Sequence, residues 1–312
     1  MSIHLEEIPS SILKEIVGRA QMELAAARER QPLAELQRMA RDTEAPRGFY
    51  DALVNAGFSM IAEVKRRSPS GGAMRHQDYL TAARLYDESH AVSAVSVLTN
   101  ESDFGMKIGA LTEVRQVTRK PLLRKDFIFD EYQVFQARAH GADAILLMAN
   151  VLTREGMHGL SRLALELGMD VLFEAHDPDE VRKFPVDARI CGINSRKFVT
   201  GAFGANTSAP EASGAPRRSD FSTNSGQFEL IDCLPAKCVK VAESGLSPEG
   251  VAQVRRLGFD SILVGTTLLM APQGVAATLR KFEEAIANSL IETGLALRGL
   301  QRGLEERPEE VV

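Results

Sequence analysis

From Ser59 onward, short apolar runs alternate with stretches whose apolar positions recur every three to four residues, the pattern of parallel βαβ units. The runs predict eight strands: Ser59 to Val64, Ala94 to Leu98, Pro121 to Lys125, Ala144 to Met148, Asp170 to Glu174, Arg189 to Asn194, Cys238 to Glu243 and Ser261 to Gly265. Helical segments such as YLTAARLYDES, EYQVFQARAHG, TREGMHGLSRLALELG and PEGVAQVRRLG separate them, several ending in a Gly that suits a left-handed cap. Eight successive units predict an α/β fold that closes on itself, a (β/α)8 TIM barrel.

Three segments depart from the repeat. Ile8 to Met39 reads as one or two helices, with Ile12, Ile16, Val17 and Leu24 at helical spacing, so residues 1–58 are expected to form an N-terminal helical extension. The sixth and seventh strands start about 50 residues apart, well beyond the other intervals. The surplus lies in residues 200–227, rich in Gly, Ala, Ser and Pro and without apolar period, which reads as a mobile insert on the βα side of the barrel. Residues 59–288 then make the barrel and 289–312 a helical tail, all within one domain spanning 1–312.

Composition narrows the function classes. The 312 residues would allow two domains, but α/β barrels of roughly 200–250 residues are single units, and these additions account for the excess. Cys191, Cys233 and Cys238 form no CxxC pair, and their odd number argues against a disulfide framework and for a reducing, cytoplasmic setting. Cys191 and Cys238 read as small apolar strand residues. The N-terminus lacks a basic start followed by an apolar stretch, and no run of about 18 apolar residues occurs, so neither export nor a membrane is indicated. A net charge of −5 with scattered basic residues and no Trp gives no footprint for nucleic acid. A phosphorylated small molecule is the expected ligand, and a monomer or weak homo-oligomer the expected state.

Candidate chemistry comes from charges that end apolar runs. Barrel strands are covered on both faces, so such a charge is costly unless it points into the solvated mouth. Ile61, Glu63 and Lys65 share one parity, Lys125 follows Leu123, Glu174 follows Leu172, Asn194 follows Gly192 and Glu243 follows Val241. Two lysines, three carboxylates and an amide would therefore converge at the C-terminal mouth, a set suited to proton transfer. Structural ion pairing stays open for any one of them. No His, Cys and Asp grouping has metal-ligand spacing, so no metal is expected, and His176 reads as a loop residue.

Gly turns follow the seventh and eighth strands in ESGLSPEG and VGTTLL, where barrels place a phosphate against backbone amides. Ser68 could add a hydroxyl from the loop after the first strand. Ser247, Pro248 and Glu249 carry the cap, first-turn Pro and early acid of a helix start. Phe127, Phe129 and Tyr132 either pack the following helix or line a pocket for an aromatic substrate.

In this order the chain carries IAEVKRRSPS, LLRKDFIFDEYQ, GADAILLMA, LFEAHD, CGINSR, VAESG and LVGTTLL, and in these motifs it resembles the indole-3-glycerol-phosphate synthase family from about Ile8 to Phe282. The resemblance implies a carbon–carbon lyase of tryptophan biosynthesis. Its reaction closes the ring of 1-(2-carboxyphenylamino)-1-deoxy-D-ribulose 5-phosphate with loss of carbon dioxide and water, giving indole-3-glycerol phosphate without cofactor or metal. By the same resemblance Lys125 is the general acid on the ketone oxygen, while Glu174 and Lys65 complete the dehydration, with acid and base not assigned between them. Glu63, Asn194 and Glu243, with Ser244, orient substrate hydroxyls and the lysines, and Phe127 contacts substrate. Ser68, Gly245, Gly265 and Thr266 match phosphate-binding positions.

Two departures stand out. The insert after CGINSR replaces a short loop and is a candidate contact for another pathway enzyme. Gly71 and Gly72 follow Ser70 where relatives carry a basic residue before the Gly. Two other readings compete: a phosphoribosylanthranilate isomerase-like barrel, which needs a Cys/Asp pair at strand ends that no strand here supplies, and a non-catalytic barrel serving as a scaffold.

Overall fold

In the computed structural model, β1 (Ser59–Val64), β2 (Val92–Leu98), β3 (Leu122–Lys125), β4 (Ala144–Met148), β5 (Asp170–Ala175), β6 (Ile190–Asn194), β7 (Val239–Glu243) and β8 (Ser261–Val264) close into the expected barrel. Each strand pairs in parallel with its sequence neighbours, and β8 returns to β1. The structure describes residues 5, 8, 11–69, 72–196 and 225–305, with backbone alone at 11, 225 and 291–305. Residues 70–71, 197–224, which take in most of the insert expected at 200–227, and 306–312 lie outside the described residues.

Strand limits differ from the sequence pattern by one or two residues for local reasons. Pro121 has no N–H to give the ladder, so β3 opens at Leu122, although the Pro121 carbonyl still accepts from Val95 N at 2.9 Å. The strands are buried on both faces, which is why they read as apolar runs.

The N-terminal extension comprises α1 (Ser11–Arg30), α2 (Leu33–Asp42) and α3 (Phe49–Asn55), the last not predicted. Helix α1 buries Leu13, Ile16, Val17, Ala20 and Leu24. It is tied to loops at the C-terminal mouth by Arg19–Asp103 and Arg28–Asp130, each at 2.6 Å. Tyr132 Oη donates to the carbonyls of Ala27 and Gln31, so Tyr132 and the fully buried Phe129 serve packing, leaving Phe127 toward the mouth. Between α2 and α3 the chain crosses to the opposite end of the barrel. There the Arg47 guanidinium donates to Thr118 O at 2.6 Å and Lys120 O at 3.1 Å, and Arg47 N donates to Asp143 Oδ1.

The crossover helices include α4 (Tyr79–Glu88), α5 (Gly109–Val117), α6 (Glu131–Ala139), α7 (Arg154–Glu166) and α8 (Val251–Arg256). Helix α7 is capped by Thr153, whose Oγ1 accepts from Gly156 N, and its chain leaves through Gly168 at φ 79°. Among the described residues the sixth unit has a 3-10 segment, Ser225–Cys233, and no α-helix; the segment reaches into the expected insert, with Gln227 and Phe228 buried and Phe228 edge-on to Phe259. Ser247 stands at the cap position before Pro248, but its hydroxyl makes no capping bond and engages Glu249 instead. Helix α9 (Val275–Glu305) runs unbroken through the boundary expected at 288. Among the described residues no helix is long and apolar enough to cross a membrane.

Candidate active site

The pleat carries the charged residues inward as the parity argument requires. Glu174 pairs in register with Gly192, and Asn194 with Glu243, so all three side chains project from the C-terminal ends of β5, β6 and β7 into the barrel mouth. A cavity of about 270 Å³ at this end is lined by Glu63, Lys65, Lys125, Phe127, Glu174, Asn194 and Glu243. Ser244, Gly245, Gly265 and Thr266 line its other wall. Of the residues that the family resemblance assigns to catalysis, substrate or phosphate, Ser68 alone is not in the lining: it is buried in a two-residue strand, Arg67–Ser68, that pairs antiparallel with Gly72–Ala73.

Lys125 is the hub. Its Nζ lies 3.0 Å from Glu174 Oε2 and 3.2 Å from Glu243 Oε2, while Lys65 Nζ lies 2.5 Å from Glu63 Oε1. The outward-facing neighbour Arg124 anchors the end of β3 by donating to Thr99 Oγ1, Gln133 O, Asp126 Oδ2 and Gln136 Oε1. That network fixes the backbone from which Lys125 projects into the cavity.

Two glycines make room for the carboxylates. A Cβ on Gly192 would meet Glu243 Oε1 at 2.1 Å, and one on Gly265 would meet Glu63 Oε1 at 2.4 Å. Beyond β7, Ser244 adopts φ 70°, a conformation costly for a residue with a Cβ. It is held there because Ser195 N donates to Glu243 O and Ser195 Oγ donates to Ser244 O. Thr267 Oγ1 donates to Leu246 O at 2.6 Å, stitching the two Gly turns together.

Burial and neighbouring charge separate the acids. Burial alone would raise Glu174, but the Lys125 ammonium and His176 overcome it and hold its carboxyl low, at about 2. Burial raises Glu243 to about 8: Lys125 pulls it down, yet the adjacent Glu174 charge resists a second ionisation on the same ammonium. Glu63 is lowered by Lys65 and Lys125 against its burial. For Lys125 burial acts downward, and the three carboxylates outweigh it and raise its value. The mouth thus combines a firmly protonated ammonium, an ionised carboxylate and a carboxyl that holds its proton near neutrality. Glu174 Oε1 and Glu243 Oε1 are buried without a hydrogen-bond partner among the described residues, the first turned towards His176 and the second lying against Gly192.

Two participants escaped the sequence reading. Arg196 lines the cavity, its backbone N bonded to Asn194 Oδ1, in the irregular segment after β6 where strand parity no longer assigns a direction. His176, expected in a loop, is buried and stands behind Glu174, with Nε2 3.7 Å from Glu174 Oε1. Among the described residues no group of three or more His, Cys, Asp or Glu is arranged to hold a metal ion.

The barrel is similar to 3-hexulose-6-phosphate synthase from Salmonella typhimurium, with a TM-score of 0.52 and 15% identity over 74% of this chain and all of that one, a likeness of fold alone. The chain is 34% identical to an indole-3-glycerol phosphate synthase of Bacteroides thetaiotaomicron over 284 residues, 88% of this chain and 98% of that protein. It is 37% identical to the Micrococcus luteus protein of the same name, with the same coverages. The family model described as indole-3-glycerol phosphate synthase matches residues 13–209. On these grounds, the chain belongs to the indole-3-glycerol phosphate synthase family.

Proposed function

We propose that the mouth performs its family's reaction, the decarboxylating and dehydrating ring closure of 1-(2-carboxyphenylamino)-1-deoxy-D-ribulose 5-phosphate, by acid–base chemistry divided among its lysines and glutamates. The carrying observation is Lys125 Nζ between Glu174 and Glu243 at the floor of a cavity sized for a small phosphorylated metabolite.

When the anilino ring attacks the ketone, negative charge grows on the carbonyl oxygen, and the Lys125 ammonium neutralises and then protonates it. Loss of carbon dioxide restores the ring's aromaticity. The hydroxyl then leaves as water with a proton from Lys65, held by Glu63, while Glu174, kept ionised, takes the proton from the adjacent carbon. Two protons are given and one taken, which balances a carboxylate leaving as neutral carbon dioxide. Glu243 and Asn194 hold the reacting hydroxyls, and Arg196 offers its charge to the substrate's carboxylate. Phe127 packs the aromatic ring, and the phosphate rests on Ser244, Gly245, Gly265 and Thr266, which fixes the reacting carbons close together.

The test is to supply this substrate to the purified protein and follow indole-3-glycerol phosphate by fluorescence. Product at a steady rate supports the assignment. Tight binding without product would favour a non-catalytic barrel, and neither binding nor product would remove the substrate assignment.

A further inference from the structure

Glu174 is gripped from two sides. Lys125 Nζ takes Oε2 at 3.0 Å from the cavity, and His176 Nε2 approaches Oε1 at 3.7 Å from a position outside the cavity lining. The imidazole is itself built in. Its Nδ1 lies 3.1 Å from Glu180 Oε2, and the same oxygen accepts from His176 N at 2.6 Å. Glu180 sits four residues on, in the single turn Pro178–Val181, whose cap Asp177 accepts from Glu180 N at 2.9 Å. Gln227 of the 3-10 segment donates to His176 O. Asn150 brings its amide to 3.3 Å from Nδ1. With Nδ1–H committed to Glu180, that amide is best satisfied with Oδ1 toward the ring, which also supplies the partner Oδ1 otherwise lacks.

We propose that His176, held by Glu180, is a positioning residue for Glu174: it fixes the carboxylate oxygen that Lys125 does not reach and, as an imidazolium, keeps that carboxylate ionised for its turn as base. The inference rests on the base role given to Glu174 above. The charged groups that face the ring are Glu174 at the end of β5, Glu180 on the turn and Lys125 on β3, while Asn150 and Gln227 present neutral amides. Burial disfavours the imidazolium, as does Lys125, but the Glu180 hydrogen bond and the two carboxylate charges prevail and raise its proton affinity. His176 is therefore charged on the acid side of neutrality, and once Lys125 has given its proton to the ketone oxygen the imidazolium is the cation left beside Glu174, whose burial then drives its carboxyl up from about 2. The triad logic of a base oriented by a third group is here applied to a carboxylate.

The experiment compares kcat and KM from about pH 5 to 9 for the parent, Glu174→Gln, His176→Asn and Glu180→Gln. Removing the cation lets Glu174 take up a proton more readily in the bound state reached after Lys125 has given up its own, so in His176→Asn the acid limb of kcat moves up by about one pH unit while KM stays within about twofold. Glu180→Gln moves the limb in the same direction by less. A purely structural role would lower kcat equally at every pH and leave the limb in place, which would overturn the proposal. Should His176→Asn fold poorly, Glu180→Gln decides on the same readout. Undiminished turnover in Glu174→Gln would sink the base assignment itself. An inactive Glu174→Gln beside unmoved limbs in the other two variants would sink the His176 inference alone.

Discussion

A methyl group on Gly192 would stand 2.1 Å from Glu243 Oε1, so the bare backbone of β6 is what lets the β7 carboxylate lie flat across the barrel mouth to reach Lys125. Gly192→Ala is expected to displace Glu243 from the ammonium. Stability should fall by about 1–3 kcal/mol, as for overpacking elsewhere, and kcat should fall more than KM rises. Denaturant unfolding and steady-state kinetics on the one variant check both.

The raised carboxyl of Glu243 has a consequence for stability. A folded-state value above the unfolded one means that the native protein binds the extra proton, so the stabilisation is complete below the unfolded Glu value and is lost as pH rises through the folded value near 8. Glu174, lowered, contributes in the opposite sense, and its stabilisation is lost only in strong acid. Between about pH 5 and 8 the parent should therefore lose stability with rising pH, and Glu243→Gln, which cannot ionise, should flatten that slope. Urea midpoints at several pH values measure it, and parallel slopes for parent and variant would exclude the assignment.

Arg47 belongs to the opposite end of the barrel. Its guanidinium ties the extension to the carbonyls of Thr118 and Lys120, so Arg47→Ala should cost about 2 kcal/mol of stability, the range for hydrogen bonds to a charged group. At temperatures where the variant is folded, kcat should be unchanged, since barrels separate stability at one face from chemistry at the other. Loss of kcat without loss of stability would contradict that separation.

Arg196 faces the cavity beside Glu63 and Glu174, and burial lowers its value against their pull. Arg196→Ala should raise KM by at least about tenfold with a smaller change in kcat, the pattern of a group that binds ground and transition states alike. A kcat loss at constant KM would instead give Arg196 a part in the chemical step.

How far the sequence carries can be traced through these residues. Strand parity alone aims Glu63, Lys125, Glu174, Asn194 and Glu243 at one mouth, because period two leaves each only one inward choice in a closed barrel. Beyond the strand ends parity is undependable: Lys65, one residue past β1, follows it into the mouth, whereas His176, one past β5, lies outside the lining, so neither His176 nor Arg196, two past β6, carried a directional signal. The amphipathic stretch of α3 is too short, at seven residues, to show helical period. The opposite shifts of Glu174 and Glu243 depend on both meeting one ammonium, a distance that spacing along the chain does not contain.

The most direct test of the central assignment is Lys125→Met assayed with the carboxyphenylamino-deoxyribulose phosphate substrate, following product formation and, separately, substrate binding. With Lys125 as the acid on the ketone oxygen, the variant should still bind substrate and fold while product formation falls at least about a thousandfold. Turnover within tenfold of the parent would show that another group protonates the ketone and would remove Lys125 from the centre of the reaction.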